Sequence, residues 1–264
     1  MTSSRRKFLQ AASVGAAGAM LGTVLQGADV PTLGMIFPPA NYPVPPEATL
    51  LYPSGIRFLA EGVGLQKMTA EEYDRVFGKI MPAAQKLAKE GSNAISVMGT
   101  SLTFYKGAEY EHQLKVNVTK ATGLPSTTMS TGIVEGLKAL NAKRVAVATA
   151  YDEDVSHRLQ VFLEESGFQV VSVKGLGIVS FQDRGPVTPD ELFNFSAGVY
   201  EGAPKADALV ISCGALKTLD LIVPLEQRCK RPVVSSTPHA LWASVRLLGL
   251  SGQAKGYGTV LAKG

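Results

Sequence analysis

Cysteine and histidine are scarce in this sequence, whose 264 residues include two cysteines and three histidines. Two cysteines cannot form the disulfide framework of a small secreted domain, and neither CxxC nor HExxH spacing occurs, so no metal site is predicted. Lysine and arginine do not cluster with aromatic residues although the net charge is +4, which argues against nucleic-acid binding. No GxGxxG follows a predicted strand and no Walker motif occurs, so no nucleotide cofactor is expected.

The first 28 residues are typical of an export signal. Arg5-Arg6 is followed by an uncharged, Ala/Gly-rich run from Ala11 to Leu25. Such a run after a basic segment indicates a signal peptide and is short for a transmembrane helix. We therefore expect residues 1–28 to be a twin-arginine signal, with the export machinery as partner and a periplasmic or exported location. The cleavage region at Gln26 is a poor match, and an uncleaved signal would anchor the protein in the membrane. A signal that does not function would leave the protein in the cytoplasm.

Beyond Pro31, short apolar runs alternate with longer helical segments. The runs are rich in Val, Ile and Ala without strict alternation, which is typical of parallel strands covered by helices on both faces, an α/β fold. Thr69-Ala-Glu-Glu72 predicts a capping box at the start of a helix. Pro82 lies inside that predicted helix and should kink or break it. The predicted strands are 33–37, 94–98, 144–149, 169–173, 208–212 and 232–235. The predicted helices are 69–90, 107–122, 131–140, 152–166, 188–201, 218–229 and 238–248.

Ligands of parallel sheets bind beyond the carboxyl ends of the strands. The segments at those ends are Pro38-Pro39, Gly99-Thr100-Ser101, Thr149-Ala150-Tyr151, Cys213-Gly214 and Ser235-Ser236-Thr237. The amides and hydroxyls of Gly99-Thr100-Ser101 suit a carboxylate, and the Tyr151 phenol can donate to the same anion. Helix capping by Thr100 and Ser101, and packing by Tyr151, are the alternative interpretations.

Cys213 lies between a predicted strand and a predicted helix. Backbone N–H groups at such a turn can lower the pKa of the thiol or hold an oxyanion. A small buried core residue is an equal alternative from position alone. Cys229 is expected to be a bystander, His239 to cap or pack, and His112 and His157 to be solvated. A hydrolase triad therefore has no well-placed histidine.

The sequence shows two kinds of similarity, one between its own two halves and one to a known family. Ser96-Val-Met-Gly-Thr-Ser101 resembles Val210-Ile-Ser-Cys-Gly-Ala215, 114 residues later, which suggests two similar α/β lobes facing each other across a cleft. Five segments carry a further likeness, namely Leu33-Gly-Met-Ile-Phe-Pro-Pro39, Val97-Met-Gly-Thr-Ser-Leu-Thr-Phe-Tyr-Lys-Gly107, Ala121-Thr-Gly-Leu-Pro-Ser-Thr-Thr-Met-Ser-Thr131, Val145-Ala-Val-Ala-Thr-Ala-Tyr151 and Ile211-Ser-Cys-Gly214. In this order they resemble the arylmalonate decarboxylase family of the aspartate/glutamate racemase superfamily, from about residue 31 to residue 258.

The resemblance implies two parallel-sheet lobes related by pseudo-twofold symmetry, with the active site in the cleft between them. Residues 30–132 with 237–264 would form the first lobe, and residues 133–236 the second lobe, which carries Cys213. The implied reaction is decarboxylation of an α-substituted malonate, such as an arylmalonate, to a chiral carboxylic acid without a metal or organic cofactor. The chain would thus be a carboxy-lyase whose partner is a small dicarboxylate substrate.

The resemblance also implies a role for each site residue. The groups around the retained carboxylate would be Thr100, Ser101 and Tyr151 with backbone amides near Ser101 and Gly214. The apolar groups around the departing carboxylate would include Pro39, Leu65 and Met68. Desolvation there favours loss of CO2, because the neutral product suits an apolar pocket better than the anion does. Cys213 would then protonate the enediolate, which requires a thiol whose pKa is not strongly lowered.

Two departures from the superfamily bear on function. Racemases place a cysteine in each lobe, whereas this sequence has Gly99 in the first lobe and Cys213 in the second. One thiol cannot perform a two-base racemisation, so the sequence favours a decarboxylase over a racemase or cis-trans isomerase of a small carboxylic acid. A periplasmic carboxylate-binding protein is the alternative that is not an enzyme. Arg184 is expected to recognise a further anionic or polar group of the substrate, or else to point to solvent.

Overall fold

The structure, a computed structural model, describes residues 30–180, 182 and 185–263. The predicted export signal at residues 1–28 and the predicted substrate contact of Arg184 lie outside these residues. No helix in the described ranges combines the length and apolar character needed to cross a membrane.

Two four-stranded parallel sheets form the framework of the chain. The first has the order β2-β1-β3-β4 and the second the order β6-β5-β7-β8, and every strand pairing is parallel. The strands are β1 (Thr32–Phe37), β2 (Arg57–Gly62), β3 (Ala94–Val97), β4 (Ser126–Thr128), β5 (Arg144–Thr149), β6 (Gln169–Gly175), β7 (Ala208–Ser212) and β8 (Val233–Ser235). The α/β class is confirmed, and β3 and β7 occupy the same position in their sheets, as the internal repeat predicts.

Helices connect the strands and cover the sheets. They are α1 (Pro46–Leu51), α2 (Ala70–Phe77), α3 (Ile80–Lys89), α4 (Thr100–Phe104), α5 (Gly107–Thr122), α6 (Met129–Ala139), α7 (Glu153–Glu165), α8 (Pro189–Glu201), α9 (Leu219–Cys229) and α10 (Ser236–Leu247). Side chains cap α7 and α8: Asp152 Oδ1 accepts from the Val155 N–H, and Thr188 Oγ1 accepts from the Glu191 N–H. The predicted strands and helices are present with small shifts of their ends, except for the helix 69–90.

The predicted helix 69–90 is two helices, and the predicted capping box is wrong. The Thr69 side chain makes no capping hydrogen bond. The Glu72 carboxylate instead accepts from the Gln66 N–H at 2.9 Å and from Arg75 Nε at 2.8 Å, which fixes the loop before α2. The break falls between α2 and α3 rather than at Pro82. Pro82 lies in the first turn of α3, where a missing N–H removes no helical hydrogen bond.

The two sheets are joined by α6 and α10, each of which leaves one sheet and packs against the other. In α10, Ser244 Oγ donates to Ser96 Oγ of β3 at 2.9 Å. In α6, a Cβ added at Gly136 would lie 3.2 Å from the Val234 side chain of β8. A Cβ at Gly132 would lie 2.7 Å from Ala240 Cα, so the two helices touch backbone to backbone. This contact brings the carboxyl ends of both sheets to the same cleft.

Candidate active site

Both sheets direct their carboxyl ends at a cavity of about 160 Å³. The structure brings together all nine residues singled out from the sequence, and each lines this cavity: Pro39, Leu65, Met68, Gly99, Thr100, Ser101, Tyr151, Cys213 and Gly214. Apolar neighbours, among them Phe37, Met98 and Val179, complete much of its wall. A cavity of roughly 150 Å³ holds a benzene molecule, so this one has room for an aromatic ring.

Thr100 and Ser101 form one polar side of the cavity. They are the first two residues of α4, and both are buried. Neither caps the helix through its side chain, so the capping alternative is wrong. Amides in the first turn of a helix have no acceptor within the helix. The Thr100 hydroxyl donates to Ser236 Oγ at 2.8 Å and lies 2.9 Å from Met129 Sδ.

Cys213 lines the cavity from the second sheet, directly after β7. It is 6% exposed, and its φ of 153° is unusual for a residue with a side chain, a kind of strain that occurs at functional sites. Its backbone N–H donates to Ser236 Oγ at 3.1 Å. Burial raises the pKa of the Cys213 thiol to about 11, and the neighbouring Ala215 N–H and Tyr151 hydroxyl offset only part of this rise. The expected lowering by the turn amides is therefore the smaller effect, and the thiol is protonated at neutral pH.

Tyr151 supplies a neutral phenol between the two sides. Its side chain is fully buried, which raises its pKa well above the ordinary value, and the negative charge of a Cys213 thiolate would raise it further. The hydroxyl lies 3.4 Å from Ser212 Oγ, and Phe104 packs edge-on against the ring at 5.7 Å. Both packing and donation to an anion, the two interpretations of the sequence, are compatible with this position.

Tyr73 is a second buried phenol near the site, and it was not predicted from the sequence. Within the described residues its hydroxyl has no hydrogen-bond partner of good geometry. Ser101 nevertheless lies close enough to lower its pKa slightly, against a much larger rise from burial. The phenol therefore lies near Ser101 without a well-formed hydrogen bond of its own and outside the cavity lining. In sequence, Tyr73 is indistinguishable from a core residue of α2.

The mouth of the cavity is formed by loops from both lobes. The Met68 N–H donates to the Val179 carbonyl at 3.0 Å, which ties the two loops together. Pro39 is exposed at this mouth, whereas Leu65 and Met68 are half-buried. Polar residues that were not predicted from the sequence also line the cavity: Tyr42, Gln66, Lys67, Ser180 and Gln182.

The remaining cysteine and the histidines lie outside the cavity lining. His239 Nδ1 accepts from the Ser235 N–H at 3.0 Å, and burial lowers the pKa of this imidazole to about 4. His239 thus caps and packs as a neutral side chain, as predicted. His112 and His157 are exposed, and Cys229 is buried at the end of α9. The described residues contain no group of three His, Cys, Asp or Glu side chains that could hold a metal ion.

Comparison with known proteins identifies relatives of this chain. Residues 33–261 match the family model described as arylmalonate decarboxylase. The chain is 44% identical over 235 residues to the arylmalonate decarboxylase of Bordetella bronchiseptica, covering 89% of this chain and 98% of that protein. One solved structure is an arylmalonate decarboxylase variant in the liganded form, in which one glycine is changed to cysteine and one cysteine to serine. It superposes on this chain with a TM-score of 0.84 at 43% identity, covering 87% of this chain and 98% of that chain. A maleate isomerase from Pseudomonas putida S16 shares the fold, with a TM-score of 0.80 at 22% identity over 88% of this chain and 98% of that chain.

Proposed function

The chain belongs to the arylmalonate decarboxylase family, and on that basis we propose that it is a carboxy-lyase that converts an α-aryl malonate to a chiral monocarboxylic acid. One observation supports this most strongly. A buried, protonated thiol at Cys213 lines the same mostly apolar cavity as the hydroxyls of Thr100 and Ser101. A proton donor and anion-binding hydroxyls in one cavity are what protonation of an enediolate requires.

The retained carboxylate binds at the polar wall. Thr100 and Ser101 donate through their hydroxyls, Tyr151 through its neutral phenol, and Gly214 through its backbone N–H. When the second carboxylate leaves, negative charge grows on the oxygens of the retained one. Donors held in place by the fold stabilise that charge without reorganising during the reaction. The retained group itself holds the electron pair, so the proposed step needs no cofactor.

The departing carboxylate occupies the apolar side of the cavity, near Leu65 and Met68, with Pro39 at its outer edge. The bond between the α-carbon and this carboxylate breaks, its electron pair stays with the α-carbon as the enediolate, and CO2 leaves as a neutral molecule. Poor solvation of the carboxylate anion in this environment favours the neutral product.

Cys213 completes the reaction by transferring its S–H proton to the α-carbon, and the thiolate regains a proton from water. The opposite position, Gly99, carries no side chain, and a Cβ there would lie 2.6 Å from Pro38 Cγ. Protonation therefore occurs from one face and yields one enantiomer. This geometry supports a decarboxylase rather than a two-base racemase.

We also propose the twin-arginine signal at residues 1–28 and, with it, an exported location, on the basis of Arg5-Arg6 and the apolar run that follows. The division into lobes at residues 30–132 with 237–264 and 133–236 is likewise a proposal. It is supported by α10, which packs on the first sheet through Ser244 and Ser96.

Release of CO2 from a panel of malonates tests the proposed function. We expect turnover of phenylmalonate and methylphenylmalonate and little turnover of malonate, which has no ring to fill the cavity. Arylmalonates whose rings carry polar or anionic substituents test for contacts with Gln66, Lys67 and Gln182 at the mouth, through their rates of CO2 release. Racemisation of one enantiomer of 2-phenylpropionate in deuterated water, with label exchange and no CO2 release, would instead establish a racemase. Tight malonate binding without CO2 release under any condition would establish a binding protein.

A further inference from the structure

Ser236, the first residue of α10, lies behind the cavity and is 1% exposed. Its hydroxyl oxygen is 3.1 Å from the Cys213 backbone nitrogen and 2.8 Å from Thr100 Oγ1. Cys213 follows a strand of the second sheet, and Thr100 follows a strand of the first. One buried hydroxyl thus connects the proposed proton donor to the proposed carboxylate-binding group across the cleft.

The protons of this cluster limit its arrangement once a carboxylate binds. A backbone N–H can only donate, so Ser236 Oγ accepts from Cys213 in every state. A carboxylate can only accept, so Thr100 must turn its single hydroxyl proton toward it and can no longer donate to Ser236. At 2.8 Å, Ser236 then donates its own proton to Thr100 Oγ1. Binding of a carboxylate therefore reverses the Thr100–Ser236 hydrogen bond.

We propose that Ser236 is a positioning residue that carries a directed hydrogen-bond chain from the Cys213 amide, through Thr100, to the carboxylate of the substrate. All three bonds then point the same way, and buried chains of this kind strengthen their individual bonds. The proposal rests on the proposed function for the identity of the substrate. The chain itself forms with any carboxylate at this wall.

The same hydroxyl also holds the thiol in place. Next to it, Thr237 Oγ1 donates to the Gly214 carbonyl at 3.3 Å, so the start of α10 anchors both residues of the Cys213-Gly214 turn. Removing the Ser236 hydroxyl leaves the buried Cys213 N–H without its acceptor. It also removes the hydrogen bond that fixes the orientation of the Thr100 hydroxyl. Carboxylate affinity and protonation of the α-carbon are therefore expected to weaken together.

The test compares Ser236→Ala with Ser244→Ala, a matched control on the same helix. Ser244 is also fully buried, and its Oγ donates to Ser96 Oγ at 2.9 Å and lies 2.6 Å from the Ala240 carbonyl, but neither of these partners lines the cavity. The probe for binding is 2-phenylpropionate, measured by calorimetry, and the probe for turnover is phenylmalonate. We expect Ser236→Ala to weaken binding roughly tenfold and to lower kcat/KM roughly ten- to a hundredfold. Ser244→Ala should leave both within twofold, and Ser236→Thr, which keeps the hydroxyl, should restore most of the loss.

A double-mutant cycle with Thr100→Val separates the chain from a general loss of packing. Thr100→Val already breaks the chain, so adding Ser236→Ala should weaken 2-phenylpropionate binding by much less than it does alone. Equal behaviour of Ser236→Ala and Ser244→Ala, or full additivity in the cycle, would overturn the proposal. If Ser236→Ala does not fold, Ser236→Cys replaces it, and wild-type affinity in that variant is the overturning result. A wild-type protein that binds 2-phenylpropionate but releases no CO2 contradicts the proposed decarboxylase, and the affinities still decide the role of Ser236.

Discussion

The ionisation of the Cys213 thiol can be measured directly, because Cys229→Ser leaves Cys213 as the sole cysteine of the chain. Burial raises the pKa of this thiol from 9.0 to about 11. A pKa that is higher by two makes the thiolate fraction at neutral pH about a hundredfold smaller. Alkylating reagents react with the thiolate, so we expect iodoacetamide to modify Cys213 at least about a hundredfold more slowly than free cysteine at pH 7.

The pH dependence of the alkylation rate is decisive, because restricted access also slows a buried thiol. The rate for free cysteine levels off above its own pKa, near pH 9, whereas the rate for Cys213 should still rise about tenfold per pH unit up to pH 10. Circular dichroism at each pH checks that the protein stays folded.

The rate of decarboxylation should change with pH in the opposite direction to the rate of alkylation. In the proposed mechanism the protonated thiol is the active form, so kcat should be constant from pH 7 to about 10 and fall as the pH rises through 11. An alkylation midpoint at or below about pH 9 would refute the reasoning, since the thiol would then ionise at least as readily as an ordinary cysteine.

Three further predictions concern the surroundings of the site. The pKa of His239 is lowered from 6.5 to about 4, so the folded protein should lose about 2 kcal/mol of stability between pH 7 and pH 5, because the unfolded chain takes up the proton first. Urea unfolding of His239→Gln should lack this loss, and equal losses in both proteins would contradict it. Gly132→Ala should destabilise by ~1–3 kcal/mol through its clash with Ala240, whereas Gly198→Ala, with open space around it, should be neutral or stabilising in the same urea assay. Tyr73→Phe should raise KM for phenylmalonate without lowering Tm, since its hydroxyl has no well-formed partner among the described residues, and an unchanged KM would rule out its contact with substrate.

Much of the fold could be predicted because its central strands are continuous apolar runs. β5 and β7 match their predicted bounds, and α5 does so as well. β2 escaped prediction because it is an edge strand whose side chains are half-exposed or exposed, so it lacks the pattern of a buried strand. β4 escaped prediction because its three residues, Ser126–Thr128, are all polar and give no apolar run.

The polar side of the site could be predicted for a related reason. Parallel strands place their carboxyl ends together, which groups Tyr151 with Cys213 at the edge of the second sheet. The internal repeat predicts that Thr100 approaches them from the first sheet, across the cleft. Tyr73 could not be predicted in this way, because it approaches Ser101 from α2 and not from the end of a strand. The position of Ser236 between Thr100 and Cys213 depends on how α10 crosses from one sheet to the other, which no local pattern in the sequence encodes.

The proton donor is the central element of this account, and Cys213→Ser tests it most directly, with Cys229→Ser as the matched control. The measurement is the rate of CO2 release from methylphenylmalonate and the chirality of the 2-phenylpropionate formed. We expect Cys213→Ser to lose roughly a hundredfold or more of the turnover while its Tm and its affinity for 2-phenylpropionate stay unchanged. Cys229→Ser should match the wild-type protein and give one enantiomer. Full turnover to a single enantiomer by Cys213→Ser would contradict the account.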